Sequence, residues 1–210
     1  MSPSRTCDAD ITVWALAAGR GDRSALERFI RATQHDVLGF VANLSDQHSA
    51  EDLAQETYLR ALRSLHRFEG RSSARTWLLS IARRTVADHI RALRIRPRRA
   101  DLPEWQSAVE RADPIGGLGL DDAVALGDLV RSLHPDQREA FVLTQALGLS
   151  YADTAVICAC PIGTVRSRVA RAREALIDAL HDAERRACRL PDQKSGPAVV
   201  RADPDSRSSA

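Results

Sequence analysis

Lysine is almost missing from this chain. Lys194 is the only one, and every other basic side chain is an arginine. A GC-rich genome accounts for that imbalance, and arginine also suits bidentate phosphate contacts. Aromatic residues are scarce too, at 4% against 44% hydrophobic residues overall. Any core must therefore come from helix packing by Ala, Leu, Val and Ile. No apolar run approaches the roughly 20 residues needed to span a bilayer. The first residues, MSPSRTCDAD, lack the apolar segment of a secretory signal. A cytoplasmic protein is expected, with no membrane insertion and with Cys7, Cys158, Cys160 and Cys188 reduced.

Metal and catalytic patterns are also lacking. Cys158 and Cys160 are separated by one residue, too close for the usual zinc pair, and no nearby histidine completes a ligand set. Small apolar filler around a turn is the default for them, and thiol redox sensing the alternative. His35, His48, His66, His89, His134 and His181 lie on different segments, with no nucleophile or phosphate loop around them. Glu51, Asp52 and Glu56 are close together, but they suit an exposed helix start, where they complement its dipole. No cofactor and no enzymatic activity are expected. The net charge of +2 excludes a general polycation, so what matters is where the arginines are concentrated.

They concentrate in a stretch that reads as two amphipathic helices, DLAQETYLRALRSLHRFEGRSSARTWLLSIARRTVADHIRALR, from Asp52 to Arg94. On the first helix Ala54, Tyr58, Ala61, Leu62 and Leu65 recur at helical spacing as a buried stripe. Asp52, Gln55, Glu56, Leu59 and Arg63 share another face, acidic at its start and carrying an exposed leucine, which suits a partner protein. On the second helix Trp77, Leu78, Ile81, Val86, Ile90 and Leu93 form the apolar side, with Trp77 read as core. Ser80, Arg84, Asp88 and Arg91 line the polar side, beside Arg83 and Arg94. One helix is suited to gripping protein and the other to meeting a polyanion.

Upstream, residues 8–18 and 22 to about 44 read as helices, with Asp22 as N-cap of the second. They complete a bundle around Trp77 and Tyr58. From Ile95 to Gly119 the periodicity fails, with Pro97, Pro103, Pro114 and three glycines. So long a connector inside one compact domain is unusual, which argues for two domains.

Beyond it, residues 121–133 and Pro135 to about Leu147 read as helices. LSYADTAVICACPIGTVRSRVARAREALIDAL then reads as a helix-turn-helix. Ser150 with Asp153 gives a capping-type start, and Cys158 to Pro161 break the chain before a long helix from Ile162. Val165, Val169, Ala172, Leu176 and Leu180 should face inward; Thr164, Ser167, Arg168 and Arg171 share the outer face, with Arg166 to one side. Short hydroxyls beside arginines near a helix N-terminus fit major-groove entry. Residues 185–210 lose the helical pattern and read as a disordered tail.

These residues carry a family resemblance. DLAQETYLRAL followed by FEGRSSARTWLLSIARRTVADHIR resembles the second domain of bacterial sigma factors of the extracytoplasmic-function class, in the sigma-70 family. LSY…A…PIGTVRSRVARAREAL resembles their fourth domain. ARRTVADHIR and LTQALGLSYADTA look closest to the actinobacterial sigma-C-like branch. The resemblance implies an all-α protein: sigma region 2 at 1–95, a flexible linker at 96–119, a region 4 helix-turn-helix at 120–184, and a tail at 185–210. It implies that Asp52, Gln55, Glu56 and Leu59 dock on core RNA polymerase. Phe68, Ser80, Arg83, Arg84, Asp88 and Arg91 would meet the melted minus-ten strand of promoter DNA. Pro161, Gly163, Thr164, Arg166, Ser167, Ala170 and Arg171 would read the minus-thirty-five duplex.

Family members are commonly held inactive by an anti-sigma protein, though no residue here identifies one. The linker either follows the family's path through the polymerase or is a solvated spacer. Three departures from the family pattern stand out. Arg84 replaces a frequent Asn, Thr144 an occasional DNA-contacting Arg, and Ala159 the turn's usual Gly, so that turn must avoid positive φ or tolerate strain. A stand-alone helix-turn-helix regulator is the competing reading. It needs a dimer interface, and no spare heptad seam is evident, so a monomer is expected when the protein is free.

Overall fold

A computed structural model describes residues 6–46, 48–95 and 120–187. Among them the secondary structure is helical throughout: α1 (Asp8–Gly19), α2 (Arg23–Leu44), α3 (Ala50–Ser64), α4 (Ala74–Ile95), α5 (Leu120–Ser132), α6 (Pro135–Phe141), α7 (Tyr151–Cys158) and α8 (Ile162–Ala187). The expected linker at 96–119, Trp105, Cys188 and the tail beyond Ala187 lie outside the described residues. The last helix continues to Ala187, past the point at which the sequence pattern fades.

The first unit is a bundle of α1 to α4. Asp22 caps α2 by accepting a hydrogen bond from the Ala25 amide at 3.0 Å. Ile11 and Ala15 of α1 meet Phe29, Val37, Phe40 and Val41 of α2, together with Leu53, Ala54 and Ala61 of α3. The Tyr58 hydroxyl enters this core half-buried and is hydrogen-bonded to Thr33 Oγ1 at 2.8 Å. Burial pushes its pKa up to about 12. The apolar stripe of α3 is displaced from the sequence expectation: Leu62 is exposed, and Leu53 and Thr57 are buried in its place.

The second unit is built by α5 to α8. After α6 the chain adds a wider turn over Val142–Ala146 and then reverses at Gly148, whose φ of 68° favours glycine. Ser150 caps α7, accepting from the Asp153 amide at 3.0 Å, while its own hydroxyl donates to the Asp153 carboxylate. On α8, Val165, Val169, Ala172 and Leu176 are buried as the spacing predicts, but Leu180 lies 46% exposed because the helix has by then outrun its neighbours.

The two units touch, and one apolar cluster runs from Ile11 through to Leu176. α4 packs on α7, and α2 packs on α5 and α6. Consequently α4 has two buried faces. Leu78 and Val86 lie in the first as expected, and Arg75, Thr76, Leu79, Ala82 and Thr85 are buried as well. Leu93, at the free end, is exposed.

Ala159 sits at φ 51° and ψ 45°, the left-handed region, so this turn keeps the conformation a glycine would supply. An L-residue there costs about 1–2 kcal/mol, partly offset by the extra unfolded-state freedom of glycine. Ala159→Gly should therefore raise stability by about 0.5–1 kcal/mol. Urea unfolding of the full chain measures this, and a midpoint that is unchanged or lower would contradict it.

Candidate nucleic-acid and polymerase interface

The acidic face of α3 stands where its spacing placed it. Asp52, Gln55 and Leu59 are exposed and Glu56 is half-buried, with Leu59 at 50% exposure despite its apolar side chain. Glu56 accepts from Arg60 Nε at 2.7 Å, and the same guanidinium reaches Asp88 on α4 through Nη1 at 2.7 Å. Arg60 thus joins α3 to α4, a contact the sequence reading missed. The i,i+4 pairing with Glu56 was visible in the sequence, but the reach to Asp88 was not.

On the outer side of α4 an open depression of about 360 Å³ is lined by Arg60, Ser64, Ile81, Arg84, Asp88 and Arg91. Arg84 and Arg91 are exposed, and Arg91 holds the second Asp88 oxygen at 3.0 Å. The hydrogen bond from Arg60 holds the Asp88 carboxyl below its usual range, against the opposing effect of burial. Ser80 is half-buried and spends its hydroxyl on the Thr76 carbonyl at 2.8 Å.

A second depression, about 250 Å³, opens between the loop before α4 and the helix itself. Arg67, Phe68, Glu69, Arg71, Ser72 and Trp77 line it. The Phe68 and Trp77 rings lie 4.9 Å apart, tilted by 37°. Trp77 is only half-buried, so it serves both as packing and as a pocket wall, which corrects its reading as core. Aromatic walls and flanking guanidinium groups match what an unstacked base presents, a π-face and a hydrogen-bonding edge.

Arg83 departs from its expected position beside this surface. It points towards the second unit, where its Nε donates to the Glu139 carboxylate of α6. Glu139 is 6% exposed, and burial raises its pKa even though Arg83 opposes the shift.

In the second unit Arg166, Ser167, Ala170 and Arg171 are all exposed along one side of α8. Arg166 and Arg171 form no ion pair among the described residues, so their charges face solvent unopposed. Arg168, read as part of the outer face, instead turns back to Asp136 at 2.6 Å. Pro161 is exposed and its carbonyl accepts from the amides of Thr164 and Val165, which starts the helix. A Cβ at Gly163 would meet nothing within 4 Å, so folding alone does not require glycine there. The open space suits close approach of a ligand to the backbone. Ser167 donates to the Thr164 carbonyl at 2.9 Å, and Thr164 is half-buried. Thr144 likewise bonds within its own turn, to the Ala140 carbonyl.

Cys158 is buried, and burial pushes its thiol up to about 12; Cys160 is half-buried near Arg168. The buried Cys158 site is therefore not a reactive thiolate environment at neutral pH. Among the described residues no group of three or more His, Cys, Asp or Glu is placed to hold a metal ion. No described helix is long and apolar enough to cross a membrane.

An aromatic-walled pocket, a guanidinium-lined groove and an exposed recognition helix on an all-helical scaffold define the class, and comparison with known proteins agrees. Residues 29–95 match Sigma-70 region 2, and residues 123–176 match Sigma-70, region 4. The chain belongs to the sigma-70 family and is a sigma factor of the extracytoplasmic-function type, not an enzyme. Within that class it falls in the sigma-C-like branch. It is 52% identical over 198 residues to the ECF RNA polymerase sigma factor SigC of Mycobacterium tuberculosis, covering 93% of this chain and all of the relative. It is also 36% identical to the RNA polymerase sigma-H factor of Pseudomonas aeruginosa, over 77% of this chain and 89% of that one. Among solved structures, the sigma factor RpoE bound to the anti-sigma factor NepR from Bartonella quintana aligns with a TM-score of 0.63. That chain is 33% identical, and the match covers 74% of this chain and 96% of that one.

The Arg60–Asp88 contact generates a direct test. Arg60→Ala should move the Asp88 carboxyl titration upward, towards the ordinary carboxylate range. Side-chain carbonyl NMR of the two proteins measures it, and an unmoved Asp88 would show that Arg60 does not control this carboxylate.

Proposed function

We propose that this sigma factor docks on core RNA polymerase through Asp52, Gln55, Glu56 and Leu59 of α3 and divides promoter recognition between its two units. The observation that carries the proposal is the exposure of three separate faces at once: the acidic side of α3, the pockets beside α4, and the Arg166–Arg171 side of α8. The α8 face has the shape and charge for the minus-thirty-five duplex. Arg166 and Arg171 supply donors for guanine edges or phosphates, and Ala170, Ser167 and Gly163 keep the approach low.

The pocket walled by Phe68 and Trp77 suits a base flipped from the minus-ten strand, with Arg67 and Arg71 among its lining, and the separate groove of Arg84 and Arg91 offers phosphate-binding charge. Capturing a melted base offsets the cost of unpairing, so binding and opening of the duplex are coupled. The protein would work in the cytoplasm, where polymerase and promoter are found. An anti-sigma protein is a fitting negative partner, since RpoE, its 33%-identical structural neighbour, was solved in complex with one. We assign residues 1–95 and 120–184 to the two units, with 96–119 as their tether.

The chain mixed with core polymerase should start transcripts from a cognate promoter, and failure to co-purify with core at low salt would overturn the proposal. Glu56→Lys should weaken core binding while the full chain's affinity for minus-thirty-five duplex stays the same. Equal loss of both would refute the role of that face. Arg171→Ala should cost the polymerase complex about 1–3 kcal/mol in promoter affinity with relaxed sequence selectivity. A uniform loss across sequences would instead make Arg171 a phosphate contact.

A further inference from the structure

The groove between α3 and α4 holds a charge for which a purely phosphate-binding surface has no use. Three guanidinium groups, those of Arg60, Arg84 and Arg91, line it, yet among them stands the half-buried carboxylate of Asp88. Arg60 Nη1 donates to one of its oxygens, Oδ2, at 2.7 Å, and Arg91 Nη2 reaches the other, Oδ1, at 3.0 Å. A carboxylate oxygen can accept twice, so each keeps capacity for a ligand. The lining also includes Ile81, an apolar side chain packed on the core and only partly buried. Apolar surface beside hydrogen-bonding groups suits a base rather than a phosphate. At about 360 Å³ the depression is also larger than a phosphate group fills.

We propose that this groove is a base-reading subsite for the melted minus-ten strand, in which Asp88 selects guanine. The inference rests on the minus-ten reading of α4 proposed above, and adds a base identity and the residue that sets it. An ionised carboxylate only accepts hydrogen bonds. The Watson–Crick edge of guanine carries two adjacent donors, N1–H and the N2 amine, one for each Asp88 oxygen. Thymine sets its single N–H between two carbonyl oxygens. Cytosine and adenine set one amine beside a ring nitrogen whose lone pair faces the second oxygen. Those three bases meet repulsion as well as attraction, and such opposition is what separates one ligand from its competitors.

The edge in question is committed to pairing in duplex DNA and is released only on melting. The subsite therefore favours opening at a guanine and leaves the closed duplex unread. Arg84 is exposed and available for the adjoining phosphate. Arg91 is 69% exposed, and so open a pair with Asp88 is weak enough to yield when the base arrives.

Holoenzyme assembled from core polymerase and the full chain tests this with single-stranded oligonucleotides. The strand is the non-template minus-ten segment of a promoter that the chain transcribes, with each position changed in turn to the other three bases. At one position guanine should bind about 5- to 150-fold tighter than any other base. On the wild-type chain, inosine at that position, which lacks the N2 amine, should lose much of the preference, and a deazaguanine without N7 should keep it. Asp88→Asn should remove the preference there and leave selectivity elsewhere intact. Strands lacking guanine at that position should bind the variant at least as tightly as they bind the wild type. No guanine preference at any position overturns the proposal, as does a preference that survives Asp88→Asn or is fully retained by inosine. Loss with the deazaguanine overturns it too, because an arginine on the O6/N7 edge would then be the reader. Equal loss of affinity for all four bases in a folded Asp88→Asn chain would make the carboxylate merely structural and likewise overturn it. Far-UV circular dichroism shows whether that variant is folded; if it is not, the two modified bases on the wild-type chain decide. Holoenzyme that captures no minus-ten strand sinks the functional reading as well, whereas capture indifferent to guanine sinks only this inference.

Discussion

The organisation of this protein turns on how α4 disposes of its arginines. Arg75 is buried and finds both a carboxylate and a carbonyl, Arg83 is drawn to a nearly buried glutamate, and Arg84 and Arg91 face solvent along a groove. A guanidinium cannot be deprotonated to escape burial, so each buried one needs partners fixed by the rest of the fold. Asp36, Leu147 and Glu139 are those partners, and they come from two different helical units. The same residue type therefore serves as structural tie on one side of the helix and as solvent-facing cationic lining of a groove on the other.

Around that helix the molecule separates its surfaces by charge. The acidic side of α3 carries an exposed leucine, and the α8 face is cationic and unopposed. Arg60, bridging Glu56 and Asp88, lies between the first of these and the α4 groove. Such a half-exposed pair contributes little to stability. Its effect is to orient Asp88 and to link α3 to α4.

Much of this was legible in the sequence. The exposed face of α3 follows from residues spaced three, four and seven apart, and the recognition side of α8 from hydroxyls and arginines beside a capped turn. The caps at Asp22 and Ser150 were readable because they depend on neighbours three residues away. Stripes were misread at their ends, at Leu62, Leu93 and Leu180, because periodicity does not say where a helix outruns its packing partners. The buried roles of Arg75 and Arg83 were invisible. A charged residue is by default a surface residue, and the groups that reverse this default lie 39 to 72 positions away. Trp77 was half understood, since an aromatic ring can be core on one face and pocket wall on the other.

The central claim is that one chain presents a polymerase-binding face and two DNA-binding faces in a single initiation complex. Photo-crosslinking from residues 59 and 171, in the same complex with core and promoter, tests it most directly. The account predicts that a crosslinker at Leu59 captures the polymerase and one at Arg171 captures minus-thirty-five duplex. Capture of DNA from position 59, or of polymerase alone from position 171, would contradict it.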